Sequence, residues 1–100
     1  MNHKELSLLG LCYKAGKLVS GEQACEISIR NKEAKLIIVA EDASDNTKKK
    51  FQNSAKFYEI PIFIVFSKEQ LGKTLGKEER AVIVVNETGF SKKIQSMLMQ

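Results

Sequence analysis

A chain of 100 residues, 43% hydrophobic and 28% charged, has the usage of a protein that folds around a single core. Two cysteines and one histidine argue against a disulfide framework and a histidine-based triad, and no apolar run approaches the roughly 20 residues of a membrane span. The net charge of +4 favours a polyanionic partner without requiring one.

The opening stretch, MNHKELSLLGLCYKAGK, lacks the basic-then-apolar order and small-residue cleavage site of a leader, and reads as an amphipathic helix. Asn2 to Glu5 has capping-box spacing; the helix is expected to run to about Ala15 and stop at Gly16. Lys17 to Ser20 is short and extended. Ser20-Gly21-Glu22-Gln23 forms a second capping box, predicting a helix to about Asn31. On that helix Ala24, Cys25, Ser28 and Ile29 fall together as a core face. Glu22, Glu26 and Arg30 point away, and Ile27 lies on the flank near Gln23 and Asn31.

Lys35 to Ala40 is a continuous apolar run, as for a strand covered on both faces, and Glu41 to Asp45 is a turn. A third helix follows, with Phe51, Ser54, Ala55 and Tyr58 on one face, broken by Pro61. Ile62 to Phe66 is another apolar strand. Ser67 to Gln70 is a third capping box, opening a short helix that ends near Gly72 or Gly76. Ala81 to Val85 is the last strand, and Thr88 or Gly89 opens a final helix aligning Phe90, Ile94, Met97 and Leu98. The alternation predicts an α/β fold: a three-layer α/β/α sandwich with a four-stranded mixed sheet and substantial parallel pairing. Leu36, Ile38, Ile62, Ile64, Val82 and Val84 are its expected core.

Catalytic chemistry is thin. His3 is expected as a solvated helix-start residue, and without a second histidine no triad assembles. Cys12 and Cys25 form no CxxC pair and sit among apolar helix positions, so both are expected as buried free thiols in a cytoplasmic protein. Glu41, Asp42 and Asp45 match no calcium loop, and acids before a helix start have a simpler use at its positive end. Ser67 to Thr74 resembles GxxxxGK[ST], but a serine replaces the first glycine and the capping box makes the loop interior helical. No catalytic residue, metal or cofactor is expected.

Binding features are more informative. Gly21 lets another backbone approach closely, and the amides of a helix start suit phosphate. Lys14 and Lys17 precede it, and Lys77 and Arg80 follow Gly76. A basic cleft results if the Gly76 loop and the second helix start share an edge.

The segments GEQACEISIRNKEAKLIIVAEDAS, NTKKK and IPIFIVFSKEQLGKTLGKEERAVIVV together resemble the ribosomal L7Ae/L30e family of RNA-binding proteins, more narrowly its small bacterial YlxQ-type branch. The likeness covers nearly the whole chain, and the pairing of AKLIIVAEDAS with a later LGKxxGK carries most of its specificity. It implies one RNA-binding domain over residues 1–100 that recognises structured RNA, such as a kink-turn, through the second helix start and the loop before the last strand. Ribosomal RNA is among the implied partners; DNA and membranes are not, and the chain is expected as a monomer linked to translation. The positions it points to are Gly21, Gln23, Ala24, Ile27 and Asn31 in the helix, Ser44 and Lys48 after the strand, and Lys77, Glu79 and Arg80 in the loop; Lys17 and Arg30 join the expected RNA-binding set as basic residues beside the helix.

The family's helix motif reads roughly Gly-x-Asn-Glu-x-x-Lys, and this chain departs from it at Gln23, Ala24 and Ile27. Gln23 keeps an amide that donates and accepts at a base edge; Ala24 offers no acceptor and Ile27 no charge. The fold and a general RNA role carry over better than kink-turn selectivity. A protein–protein interaction module on the same fold is the rival reading. Ala24 and Ile27 favour it, whereas Lys14, Lys17, Arg30, Lys77 and Arg80 favour RNA.

Overall fold

The apolar runs become four strands, β1 (Leu18–Ser20), β2 (Leu36–Val39), β3 (Ile62–Ile64) and β4 (Val82–Val85), in a computed structural model that describes residues 4–100. They form one sheet in the order β1-β4-β2-β3. β4 runs antiparallel to both neighbours, pairing Val84 with Val19 and with Ile37, while β2 and β3 are parallel. The sheet is therefore mixed, with less parallel pairing than the helix–strand alternation suggests, because the last strand inserts between the first two.

Every residue of β2 and β4 is buried, which is why both read as unbroken apolar runs. β3 behaves differently. Ile62 and Phe63 are half-buried and Ile64 is 36% exposed, correcting the expectation that Ile62 and Ile64 belong to the core. β3 is an edge strand, so one flank lacks the neighbour that would complete its burial.

Five helices connect the strands: α1 (Lys4–Lys14), α2 (Glu22–Arg30), α3 (Asp45–Tyr58), α4 (Lys68–Thr74) and α5 (Thr88–Leu98). α1 packs against α4 and α5. α2 packs on β1 and β4, α3 on β2 and β3. Lys50 of α3 bridges to Glu22 and Glu26 of α2 at 3.5 and 3.2 Å, making those two helices one layer. Between the layers, Leu9, Phe51, Leu71 and Ile94 bury fully against the strands, each contributing about 1.5–3 kcal/mol. Both cysteines are buried and free. Burial, with Glu87 adding to it, pushes the Cys12 thiol up to about 11. Burial beside Glu22 and Glu26 pushes Cys25 up further still.

Helix ends follow local chemistry. Gly16, at φ +74°, closes α1 as expected. Ser67 and Gln70 form the predicted capping box of α4, with bonds of 3.0 and 2.9 Å. Ser44 caps α3 by accepting from the Thr47 amide, and α3 stops at Tyr58, with Glu59 left-handed at φ 56° before Pro61. Asn2 and His3 lie outside the described residues.

The box expected at Ser20 does not form. Ser20 is the last residue of β1, and Gly21 takes the cap position at φ +91° with no side-chain bond. The Gly21 amide instead donates to Val82 O at 3.0 Å, and the Ser20 hydroxyl accepts from Arg80 Nε at 3.2 Å. Strand pairing thus runs one residue past the point where a cap would have turned the chain.

Candidate nucleic-acid interface

One end of the sheet gathers the C-termini of β1, β2 and β3 with the start of β4. Ala40 donates to Ala81 O at 2.8 Å, and Glu41 to Phe66 O at 2.8 Å. Helices α2, α3 and α4 all begin there. Asp42 accepts from the Lys68 amide of α4 at 2.8 Å, so the acids after β2 serve helix starts. Among the described residues no three His, Cys, Asp or Glu side chains converge as metal ligands.

The start of α2 is held from two sides. On one, Thr47 Oγ1 donates to Glu22 at 3.1 Å, while Ser44 Oγ lies 3.0 Å from Thr47 Oγ1; this short polar chain fixes α2 against α3. On the other, Gly21 and Ser20 join the segment before β4, as described above. The first-turn amides of α2 are left without a side-chain cap. Gln23 and Ala24 are exposed beside them, and Ile27, one turn on, is 44% exposed. Ala24 therefore leaves the core face to which its spacing assigned it. The buried stripe is Cys25, Ser28 and Ile29, and Ala24 stands about 100° from Cys25 around the helix.

The segment 77–80 is clamped against α4. Lys77 donates to Gly72 O at 2.9 Å and the Arg80 amide to Lys68 O at 3.1 Å. Gly72 lies directly beneath: a Cβ there would run into Glu78 O and stand 2.6 Å from Glu78 C. The Arg80 guanidinium is largely committed inside the fold, binding Ser20 through Nε and the carbonyls of Glu78 and Glu79 at 3.2 and 2.9 Å through one terminal nitrogen. It ties the loop to the α2 start. Lys77 and Glu79 are exposed, and Lys48 is half-buried; among the described residues Lys50 is the one lysine in an ion pair.

Gly21, Gln23, Ala24, Ser44, Lys48, Lys77, Glu79 and Arg80 thus gather at one edge, with Ile27 bordering it. Ser44 spends its hydroxyl on the α3 cap. Lys17, Arg30 and Asn31 lie elsewhere. Lys17 accepts from the Asn86 amide at the opposite end of the sheet, and Arg30 and Asn31 end α2, about 12 Å from its start. Glu22, Thr47 and Gly72 shape the edge without having been singled out from the sequence. Gly72 carried a readable signal: a glycine inside a capped helix costs about 1 kcal/mol and calls for a packing reason.

The arrangement supplies amide donors, one side-chain amide and the ammonium groups of Lys48 and Lys77 around a clamped loop, a set that suits an anionic ligand with exposed polar edges. The chain is 41% identical over 95 residues to the RNA-binding protein YlxQ of Enterococcus faecium, covering 95% of this chain and 91% of that protein. It is 45% identical over 91 residues to the RNA-binding protein YlxQ of Bacillus subtilis (strain 168), covering 91% of each. A protein of unknown function from Bacillus halodurans superposes with a TM-score of 0.95 at 37% identity, covering 99% of this chain and all of that one (100%). The Giardia lamblia 15.5 kD RNA-binding protein superposes at 0.81 with 17% identity, covering 99% and 91%, a likeness of fold. A family model matches residues 4–95, and on that match and these identities the chain belongs to the ribosomal protein L7Ae/L30e/S12e/Gadd45 family.

Proposed function

We propose that this chain is a non-enzymatic, cytoplasmic RNA-binding protein, acting as a monomer and a single binding domain, which grips structured RNA at the edge where α2 begins. One observation carries the reading: the uncapped start of α2 and the clamped loop ending in Arg80 are joined through Ser20 and Gly21 into one surface. The name RNA-binding protein borne by two relatives supports it.

In this reading the Gly21 turn brings first-turn amides up to a phosphate. Gln23 touches the edge of an unpaired base, and Lys77 and Lys48 hold neighbouring phosphates. Arg80 is a positioning residue that keeps the Lys77 loop, with Glu79 at its tip, against an everted base. A bent internal loop of the kink-turn kind, in ribosomal or other translation-linked RNA, is the shape that fits such an edge.

Fluorescence anisotropy with a labelled kink-turn hairpin tests this. Affinity should fall steeply with added salt as phosphate contacts release counterions. Lys77→Ala should weaken binding to every RNA tried. Salt-independent binding, or none at low salt, would transfer the function to the second reading, in which exposed Ala24 and Ile27 anchor a protein partner.

A further inference from the structure

The end of the sheet opposite the α2 start carries a second set of features. Lys17, Asn86, Lys35 and Ile60 stand in a row where β1, β4, β2 and β3 end or begin, set by the register that pairs Leu18 and Leu36 with Val85 and Ile37 with Ile62. Neighbouring positions in such a row stand about 5 Å apart. Arg30 and Lys32 end α2 above it. These four cations, all exposed, outnumber the carboxylates at this end, the exposed Glu33 and Glu59 and the half-buried Glu87 beside Lys17. At the α2-start edge, by contrast, Glu41, Asp42, Asp45, Glu78 and Glu79 mingle with the lysines.

Between the ends of α2 and α3 lies an open groove of about 580 Å³, floored by Ile29, Ala34, Ile60 and Pro61. Lys32, Lys35, Phe57 and Tyr58 rim it. Phe57 is 79% exposed, and Tyr58 meets it edge-on with centroids 4.9 Å apart, leaving one face of the Phe57 ring open. Two rim residues, Lys32 at φ 62° and Glu59 at φ 56°, hold left-handed backbone conformations that glycine adopts more cheaply.

The geometry points to this groove as a second RNA-binding site, one that takes an unpaired, single-stranded segment. A base stacks on Phe57, its phosphates lie along Lys32 and Lys35, and Glu59 accepts from an exocyclic amine. Aromatic rings interleaved with cations are the platform single strands use, tolerant of sequence because every base has a π-face. An acidic peptide with an apolar anchor would use the lysines equally, but it has no need of an open ring face. The site rests on RNA being the partner, and extends the grip to a tail that leaves the structured element and runs along α2 to its far end, about 12 Å from its start.

The test compares a labelled bulged hairpin with the same hairpin carrying an eight-nucleotide single-stranded extension. The extension should tighten wild-type binding about tenfold. Phe57→Ala, and separately Lys32→Ala with Lys35→Ala, should abolish most of that gain, while Phe57→Trp keeps it. The double lysine variant should also lower the salt slope for the extended RNA by about 1.4, at roughly 0.7 per phosphate contact. Thermal melts check that the variants fold. Lys77→Ala should weaken both RNAs equally, so failure at the α2 edge and failure here are separable. The proposal falls if the extension adds nothing, or if Phe57→Ala leaves its contribution intact. It also falls if a peptide of Asp, Glu and Phe shifts the Lys35 and Phe57 amide resonances while an eight-nucleotide single strand does not.

Discussion

Gly72→Ala sets two effects of opposite sign against each other. In α4 the substitution favours the helix by about 0.5–1 kcal/mol, since alanine loses less backbone entropy than glycine. Against this, the new methyl meets backbone, with Glu78 C at 2.6 Å and Glu79 Cα at 3.0 Å, and neither can rotate aside as a side chain would. The 77–80 segment has to lift by about 1 Å to restore ordinary contact distances. That movement strains the Lys77 and Arg80 amide bonds to α4, each worth about 0.5–1.5 kcal/mol. With an overpacking cost of about 1–3 kcal/mol, the net expectation is destabilisation by about 1–3 kcal/mol. Gly10→Ala in α1 is the control: its Cβ would lie 3.5 Å from Thr74 O and 3.6 Å from Thr74 Cγ2, ordinary contacts, so the helix gain should survive. Urea titration of the two variants reads the difference directly, and for a domain of this size each kcal/mol moves the melting temperature by about 4–8 °C. RNA affinity at the α2 edge should fall with Gly72→Ala and not with Gly10→Ala. Equal stability of the two variants, with unshifted Lys77 and Arg80 amide resonances, would refute the flush packing of the loop.

Ala24→Glu with Ile27→Lys should leave folding within about 0.5 kcal/mol, because both positions are exposed, and should tighten kink-turn binding about tenfold or more; unchanged affinity would mean that α2 meets no base edge there. Glu87 accepts from the Phe90 amide at 2.7 Å, and hydrogen bonds from Phe90 and Gly89, with help from Lys17, hold its carboxyl below the ordinary glutamate range. A depressed folded value means that its stabilisation is complete above the unfolded pKa and fades as pH falls through the folded one. Glu87→Ala should therefore lower the urea midpoint at pH 7 and converge with wild type in acid, and a gap undiminished at pH 2 would sink this account.

Much of the fold was legible because its signals are local. The Ser67 box, the Gly16 stop and the unbroken runs of β2 and β4 each depend on a few adjacent residues. The failures were non-local. Ser20 has the correct spacing for a cap, yet its hydroxyl is claimed by Arg80, 60 residues away. Ile64 reads like Ile38, yet strand order puts one at the sheet edge and the other at its centre. The candidate edge was legible in part for the same reason. Gly21 and Gln23 announce a helix start, but nothing in the sequence says that Arg80 turns inward to hold a loop, or that Lys17 and Arg30 face the other end.

The strand order also bears on how the protein is made. β4 is the last strand synthesised, yet β1 has no other neighbour and β2 otherwise pairs with β3 alone. A nascent chain that has not yet exposed Val82 holds an N-terminal strand without a partner, and a Gly21 amide with nowhere to donate. At about 5–20 residues per second, the interval between Gly21 and Val82 is several seconds. Ribosome-bound intermediates should keep β1 and the first turn of α2 open to protease until β4 has emerged. Ligand capture at the α2 start then waits on the emergence of β4.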